Sequence, residues 1–99
     1  MAGGAFYLMA NRKNGTLYAG STRDMASRDL EHKSKANPKS FTARYDCTIL
    51  AHVEYYDDLM DAVARENAVK RWKRRWKIEL IEKDNPDWRN IELNPLDSR

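Results

Sequence analysis

The sequence predicts an α/β fold of element order β-β-α-β-α-α, and three features of the 99-residue chain carry that reading. Two short apolar runs meet across Asn14-Gly15, a strong hairpin signal. The segment CTILAHVEYY, residues 47–56, is rich in β-branched and aromatic side chains and has the composition of a third strand. Stretches free of internal Gly and Pro follow Asp24 and Asp58, two residues suited to helix N-caps.

Each element follows from local chemistry. The runs AFYLMA (5–10) and TLYAG (16–20) flank NRKNG and form the opening hairpin. With an even loop of two or four residues, odd positions of the first strand share a face with even positions of the second. Tyr7 and Tyr18 then project from the same side of the sheet. After Gly20, Asp24 caps MASRDLEHK, a helix of about three turns on which Arg28 and His32, four apart, occupy one stripe. Residues 34–46 read as a loop around Asn37-Pro38, and 47–56 is expected to join the hairpin as its third strand. Asp57, Asp58 and Asp61 open a long helix that ends in Lys and Arg, as the helix dipole favours. WKIELIEKDNPDW continues it as a second helical piece to about Lys83, and Asn85-Pro86 stops it. Trp88 and Ile91 are expected to pack the tail back, with PLDSR loose at the end.

Composition bounds what such a chain does. At 41% hydrophobic residues, with three Trp, five Tyr and only three Pro, it has enough apolar surface for one folded domain over 1–99, with its core at about 5–91. No apolar run approaches the roughly 18 residues of a membrane span. The start of the chain has no basic leader before an apolar stretch, so the expected location is cytoplasmic, without a membrane partner. Cys47 is the sole cysteine, which rules out an internal disulfide and argues against cysteine-based zinc; it is expected to be buried.

Charge is unevenly spread. RENAVKRWKRRWK, residues 65–77, holds seven Lys or Arg residues and one acid, whereas the rest has eleven bases against fourteen acids. Such a segment suits a polyanion, because each phosphate contact releases counterions, although a solvated helix end has the same composition. Lys70, Lys73, Arg74 and Lys77 are the candidate phosphate contacts. Trp72 and Trp76 are suited to stacking on bases, but packing into the core is the expected reading.

The lone acid, Glu66, shares a helical stripe with Leu59, Ala62, Val63 and Val69. A carboxylate on an apolar stripe must lie at its edge, be paired, or hold a cation. Lys70 at i+4 supplies the pair; a bound metal is the other reading.

Joint spacing adds what no single residue carries. Tyr7, Tyr18 followed by Ala19-Gly20, Arg28, His32 and a helical Glu66 far downstream together resemble the GIY-YIG nuclease superfamily. Ala5-Phe6-Tyr7 and Tyr18-Ala19-Gly20 stand for its two tripeptides. RENAVKRWKRRWKIELIEKDNPDW is similar to the small, stand-alone bacterial branch, and the likeness spans about 5–91. Phe6 and Ala19 depart from isoleucine, at positions expected to face away from the tyrosines.

The resemblance implies a three-stranded antiparallel sheet flanked by helices. It also implies divalent-metal-dependent hydrolysis of phosphodiester bonds, with DNA the expected substrate and no organic cofactor. Glu66 would hold a single Mg²⁺ or Mn²⁺, Tyr7 would orient the site or the attacking water, and Tyr18 would serve as general base. Arg28 would bind the scissile phosphate, and His32 would orient a tyrosine or assist proton transfer. Family members also carry a downstream asparagine, for which Asn67 and Asn85 are candidates; Asn85 is preferred, although its plainer role is to end a helix before Pro86. An endonuclease, a nucleic-acid-binding module of this fold with little or no activity, and a protein-interaction domain using the basic helix are the three function classes in play. Repair, recombination and restriction are all compatible with the first.

Overall fold

The computed structural model describes residues 3–93; the tail PLDSR, expected to be loose, lies outside them. Strand β1 (Gly4–Ala10) is central, β2 (Leu17–Thr22) and β3 (Ile49–Tyr56) flank it, and all pairings are antiparallel. The helices are α1 (Met25–Ser34), α2 (Phe41–Arg44), α3 (Leu59–Lys70) and α4 (Arg74–Asp84). The expected three-stranded sheet with flanking helices is therefore present, with one element more. A single helical turn, α2, interrupts the loop expected at 34–46, where the Ser40 hydroxyl accepts from the Ala43 N–H and caps it. One turn carries no periodic signal for a sequence to display.

The hairpin is longer than expected but keeps its parity. Ala10 pairs with Leu17, so six residues form the loop, an even number. Asn14 takes the left-handed conformation at φ 58°. Gly15 beside it is required by crowding: a Cβ there would lie 2.0 Å from Asn11 Oδ1. That Asn11 oxygen accepts from the Thr16 N–H at 2.8 Å and closes the loop.

Strand alternation sorts side chains onto two faces. Phe6, Leu8 and Ala10 pack with Ala62 and Val69 of α3, Ile81 of α4 and Trp88. Ala5, Tyr7 and Met9 lie on the other face with Met25 of α1, Cys47 and Leu50. A bulge at Ala51 in β3 shifts the register between Leu8 and Met9, which is why Leu50 joins the second cluster and Ala51 the first.

The tail covers β3, with the Leu50 N–H donating to Asn90 Oδ1 and the Ile91 N–H donating to the Leu50 carbonyl. Trp88 is buried as expected, and its indole N–H donates to Glu82 at 2.7 Å. On the other side, α3 runs against β2 and β1. It is tied to β3 by Arg65, which forks onto Glu54 at 3.0 and 3.1 Å; Tyr56 and His52 also bond that carboxylate. Burial alone would raise the Glu54 pKa, but the hydrogen bonds from Arg65, Tyr56 and His52 outweigh it and hold the group at about 2.

The basic segment is not one helix. It breaks after Lys70, and α4 begins at Arg74 with Lys73 as its N-cap, unassisted by any side-chain cap. Lys73, Arg74 and Arg75 therefore sit at a helix N-terminus, where the dipole disfavours cations, so dipole compensation explains only Lys70 and the C-cap Arg71. Arg74 is held by donating to the carbonyls of Asn14 and Gly15 in the hairpin loop. The expectation that both tryptophans enter the core also needs correcting: Trp72 packs on it and over Arg65, but Trp76 is 44% exposed. The break turns α4 so that Trp76 meets Trp72 edge-on at its rim rather than following it along one helix.

Candidate functional site

The parity of the hairpin puts Tyr7 and Tyr18 on the α1 face, with ring centroids 6.3 Å apart. Phe6 and Ala19 point the other way, into the α3 face, as their expected packing roles required. Gly20 stands directly across from Tyr7, and a Cβ there would meet the Tyr7 hydroxyl at 2.4 Å. Only glycine lets the phenol fold over its partner strand.

Helix α1 completes the cluster. Asp24 caps it as expected, accepting from the Ser27 N–H, and its inward stripe carries Met25, Arg28 and His32. His32 is buried, its ring 5.6 Å from Tyr7 and 5.5 Å from Tyr18. Its Nε2 bonds the Tyr7 hydroxyl at 3.0 Å, and its Nδ1 bonds Thr42 Oγ1 at 2.8 Å. Burial, reinforced by the Arg28 charge, lowers the His32 pKa. Burial and the neighbouring Tyr18 push the Tyr7 phenol far up, against the opposing pull of Arg28. A neutral phenol donating to Nε2 of a neutral imidazole, whose Nδ1–H donates to Thr42, satisfies all three groups.

Arg28 is half-buried and makes a 3.0 Å ion pair with Glu31, one turn on. It lines two adjoining clefts. One, of about 330 Å³, is walled by Tyr18, His32, Asn37, Ser40, Phe41 and Thr42. The second, of about 390 Å³, is walled by Ser21, Thr22, Ser27 and the start of α3. Among the described residues, no side chain hydrogen-bonds the Tyr18 hydroxyl, although its ring walls the first cleft.

Glu66 approaches from the opposite face. Ser21 pairs with Phe6 and so points toward α3, where its hydroxyl donates to Glu66 Oε1 at 2.5 Å. The other oxygen, Oε2, is paired with Lys70 at 2.5 Å. Because β2 is an edge strand, this carboxylate lies close enough to the tyrosines for its charge to act on the Tyr7 phenol. Lys70 likewise feels Tyr18, and its bond to Glu66 raises its pKa. Pairing with Lys70 is thus present, as the i+4 spacing allowed.

Among the described residues no three His, Cys, Asp or Glu side chains gather into a cation cage. A hard ion that retains most of its waters needs only one or two carboxylates. Glu66 would supply one such carboxylate, with the Ser21 hydroxyl beside it, only if freed from Lys70, which now holds its other oxygen.

The remaining candidates lie apart from the tyrosines. Lys73 stands 5.7 Å over the Trp76 ring, and Lys77 reaches back to the Lys70 carbonyl. Asn85 spends its side chain on structure: Nδ2 donates to the carbonyls of Ala51 and Arg89, and Oδ1 accepts from the Arg89 N–H. Three contributors were not foreseen. Thr42 and Phe41 come from the unanticipated α2, and Ser21 had only its place after Tyr18-Ala19-Gly20 to mark it.

A β2-β1-β3 antiparallel sheet with paired tyrosines on its hairpin, an arginine and a histidine on α1 and a glutamate on α3 defines the class. The chain belongs to the GIY-YIG family, whose catalytic-domain model matches residues 3–79. It is 35% identical over 72 residues to a UPF0213 protein of Syntrophus aciditrophicus, across 73% of this chain and 82% of that one. A UPF0213 protein of Staphylococcus saprophyticus is 30% identical over 69 residues, across 70% and 83%. No solved structure gives a significant match. Among the described residues, no helix is long and apolar enough to cross a membrane.

Proposed function

We propose that the chain is a nucleic-acid-binding GIY-YIG module that seats a backbone phosphate, most readily of DNA, at the junction of the two clefts. The observation that carries this is Arg28: its guanidinium borders both clefts, beside hydroxyl donors, and is held by the exposed Glu31 and by the Tyr7 hydroxyl. A planar fork suits a phosphate oxygen pair. Lys70, Lys73 and Lys77 would add positive charge away from the clefts for flanking phosphates, while Arg74 steadies the hairpin loop. The test is fluorescence anisotropy with labelled DNA and RNA in EDTA. Arg28→Ala is expected to weaken binding by about tenfold or more, as loss of a charge-assisted contact does. Wild-type protein that binds neither nucleic acid at micromolar concentration and low salt overturns the reading.

A second reading, phosphodiester hydrolysis at the same site, is favoured by the Tyr18 ring in the cleft and the Glu66 carboxylate behind it. It asks more, since a cation must displace Lys70 from Glu66. In this reading Glu66 would hold one Mg²⁺ or Mn²⁺, which would supply Lewis-acid chemistry when bound. Tyr18 would take the proton of the attacking water while passing its own phenolic proton to solvent, and Arg28 would neutralise charge developing at phosphorus. Tyr7, fully buried and lining neither cleft, stays protonated and orients the site through His32 rather than touching the attacking water. Incubation with branched, single-stranded and duplex DNA and with RNA, under Mg²⁺ or Mn²⁺ and under EDTA, decides it. Metal-dependent cutting that Glu66→Ala abolishes in a folded protein supports hydrolysis; no cutting across a broad pH range leaves binding alone.

A further inference from the structure

We propose that α2 and the loop before it form a base-stacking subsite, which takes an unpaired nucleotide next to the phosphate seated at Arg28. It rests on the nucleic-acid reading above and names the kind of strand that cleft accepts.

The geometry is a run of aromatic rings leaving the cleft. Tyr18 lies 5.9 Å from Phe41, and Phe41 lies 4.7 Å from Tyr45, with rings tilted by 31° and 40°. The Arg44 guanidinium stands 5.8 Å from the Tyr45 centroid. Phe41 is 44% exposed and Tyr45 45% exposed, so neither is core. In α2 the buried side chain is Thr42, which anchors His32; the turn that fixes the catalytic-face imidazole therefore also presents the two rings outward. Adjacent exposed aromatics on a capped turn suit a flat apolar partner.

Charge narrows the partner to a polyanion. Residues 33–45 contain Lys33, Lys35, Lys39 and Arg44 and no acid. Lys33 and Lys35 are engaged by Asp29 and Asp46, whereas Lys39 and Arg44 have no carboxylate partner among the described residues. Rings flanked by cations without a carboxylate partner, continuous with the cleft at Arg28, match a nucleotide: its base on the rings, its phosphates on the cations. Bases inside a duplex are stacked on one another and hidden from such a platform. The subsite therefore selects a strand whose bases are free, as in single strands, flaps or loops.

The test is fluorescence anisotropy in EDTA with three labelled DNA probes of one length: a single strand, the same strand with abasic residues throughout, and a blunt duplex. Wild-type protein is expected to bind the base-bearing strand at least about fivefold more tightly than the abasic strand, as one stacked base gives. Phe41→Ala and Tyr45→Ala are each expected to lose about 5- to 100-fold on that strand, with duplex affinity changed less than about twofold. Phe41→Trp and Tyr45→Phe, which keep a ring, are expected to retain it. Thermal melts check folding, and Tyr45, at the exposed end of α2, decides the matter if Phe41→Ala disturbs Tyr18. Equal binding of base-bearing and abasic strands overturns the subsite, as do alanine variants that bind the strand like wild type. If Arg28→Ala still weakens every probe in those cases, the nucleic-acid reading stands alone; if wild-type protein binds no probe, both fall.

Discussion

The side chains at the site constrain one another through single contacts, and Gly20 is the sharpest case. Its absent Cβ is the space that the Tyr7 hydroxyl occupies on its way to His32. Gly20→Ala is expected to displace that phenol and cost about 1–3 kcal/mol by overpacking. Urea titration measures the loss, and unchanged stability would contradict the crowding. His32 gives a pH signature. Burial lowers its folded pKa below the usual 6.5, so the unfolded chain takes up protons first as pH falls. The stability that neutral His32 contributes is complete above 6.5 and drains away as pH drops below it toward the lowered folded value. His32→Gln is expected to flatten that part of the stability–pH curve. At this scale the sequence was legible where parity ruled, as for Tyr7, Tyr18, Phe6 and Ala19. Thr42 was not, because it lies ten positions along the chain from the imidazole it holds, across an irregular loop.

Among elements, α3 depends on one ionic knot. Glu54 on β3 takes the Arg65 fork together with Tyr56 and His52, and Arg65 also lies over Phe6 and Trp72. Since the folded Glu54 pKa is about 2 against the usual 4.5, its contribution is complete above 4.5 and is lost as pH falls toward about 2. Glu54→Gln is expected to cost about 2–3 kcal/mol at neutral pH and to weaken the acid limb of unfolding. Equilibrium unfolding at several pH values checks both, and an unaltered acid limb would show that the knot contributes little. Strands, α1 and α3 were readable because two-residue alternation and the Asp24 and Asp58 caps act locally. The break at 71–73 was not, for no Gly or Pro marks it. It is fixed by Arg74 reaching back to the hairpin carbonyls, a contact sixty residues away in sequence from Asn14.

Across the whole molecule, the tail closes the outer edge of β3 while Glu66 is brought round the opposite edge at β2. The closure separates two roles for Asn85. Its three hydrogen bonds join β3 to the tail turn, so Asn85→Ala is expected to cost about 1–3 kcal/mol by stranding the Ala51 carbonyl and freeing the exposed Arg89 backbone. Under conditions that keep it folded, its nucleic-acid affinity is expected to match wild type in the anisotropy assay. A selective loss of binding or cleavage in a stable variant would restore Asn85 to the site. The sequence by itself determined the strands, the capped helices, the shared face of the tyrosines and the family, because these rest on short-range periodicity and on residue order along the chain. Only the tertiary structure decided that Glu66 is tied to both Ser21 and Lys70, that Trp76 stays at the surface, and that Phe41 and Tyr45 extend the Tyr18 cleft. Those outcomes depend on where a one-turn helix and a three-residue break direct their side chains, and contacts between distant segments fix both.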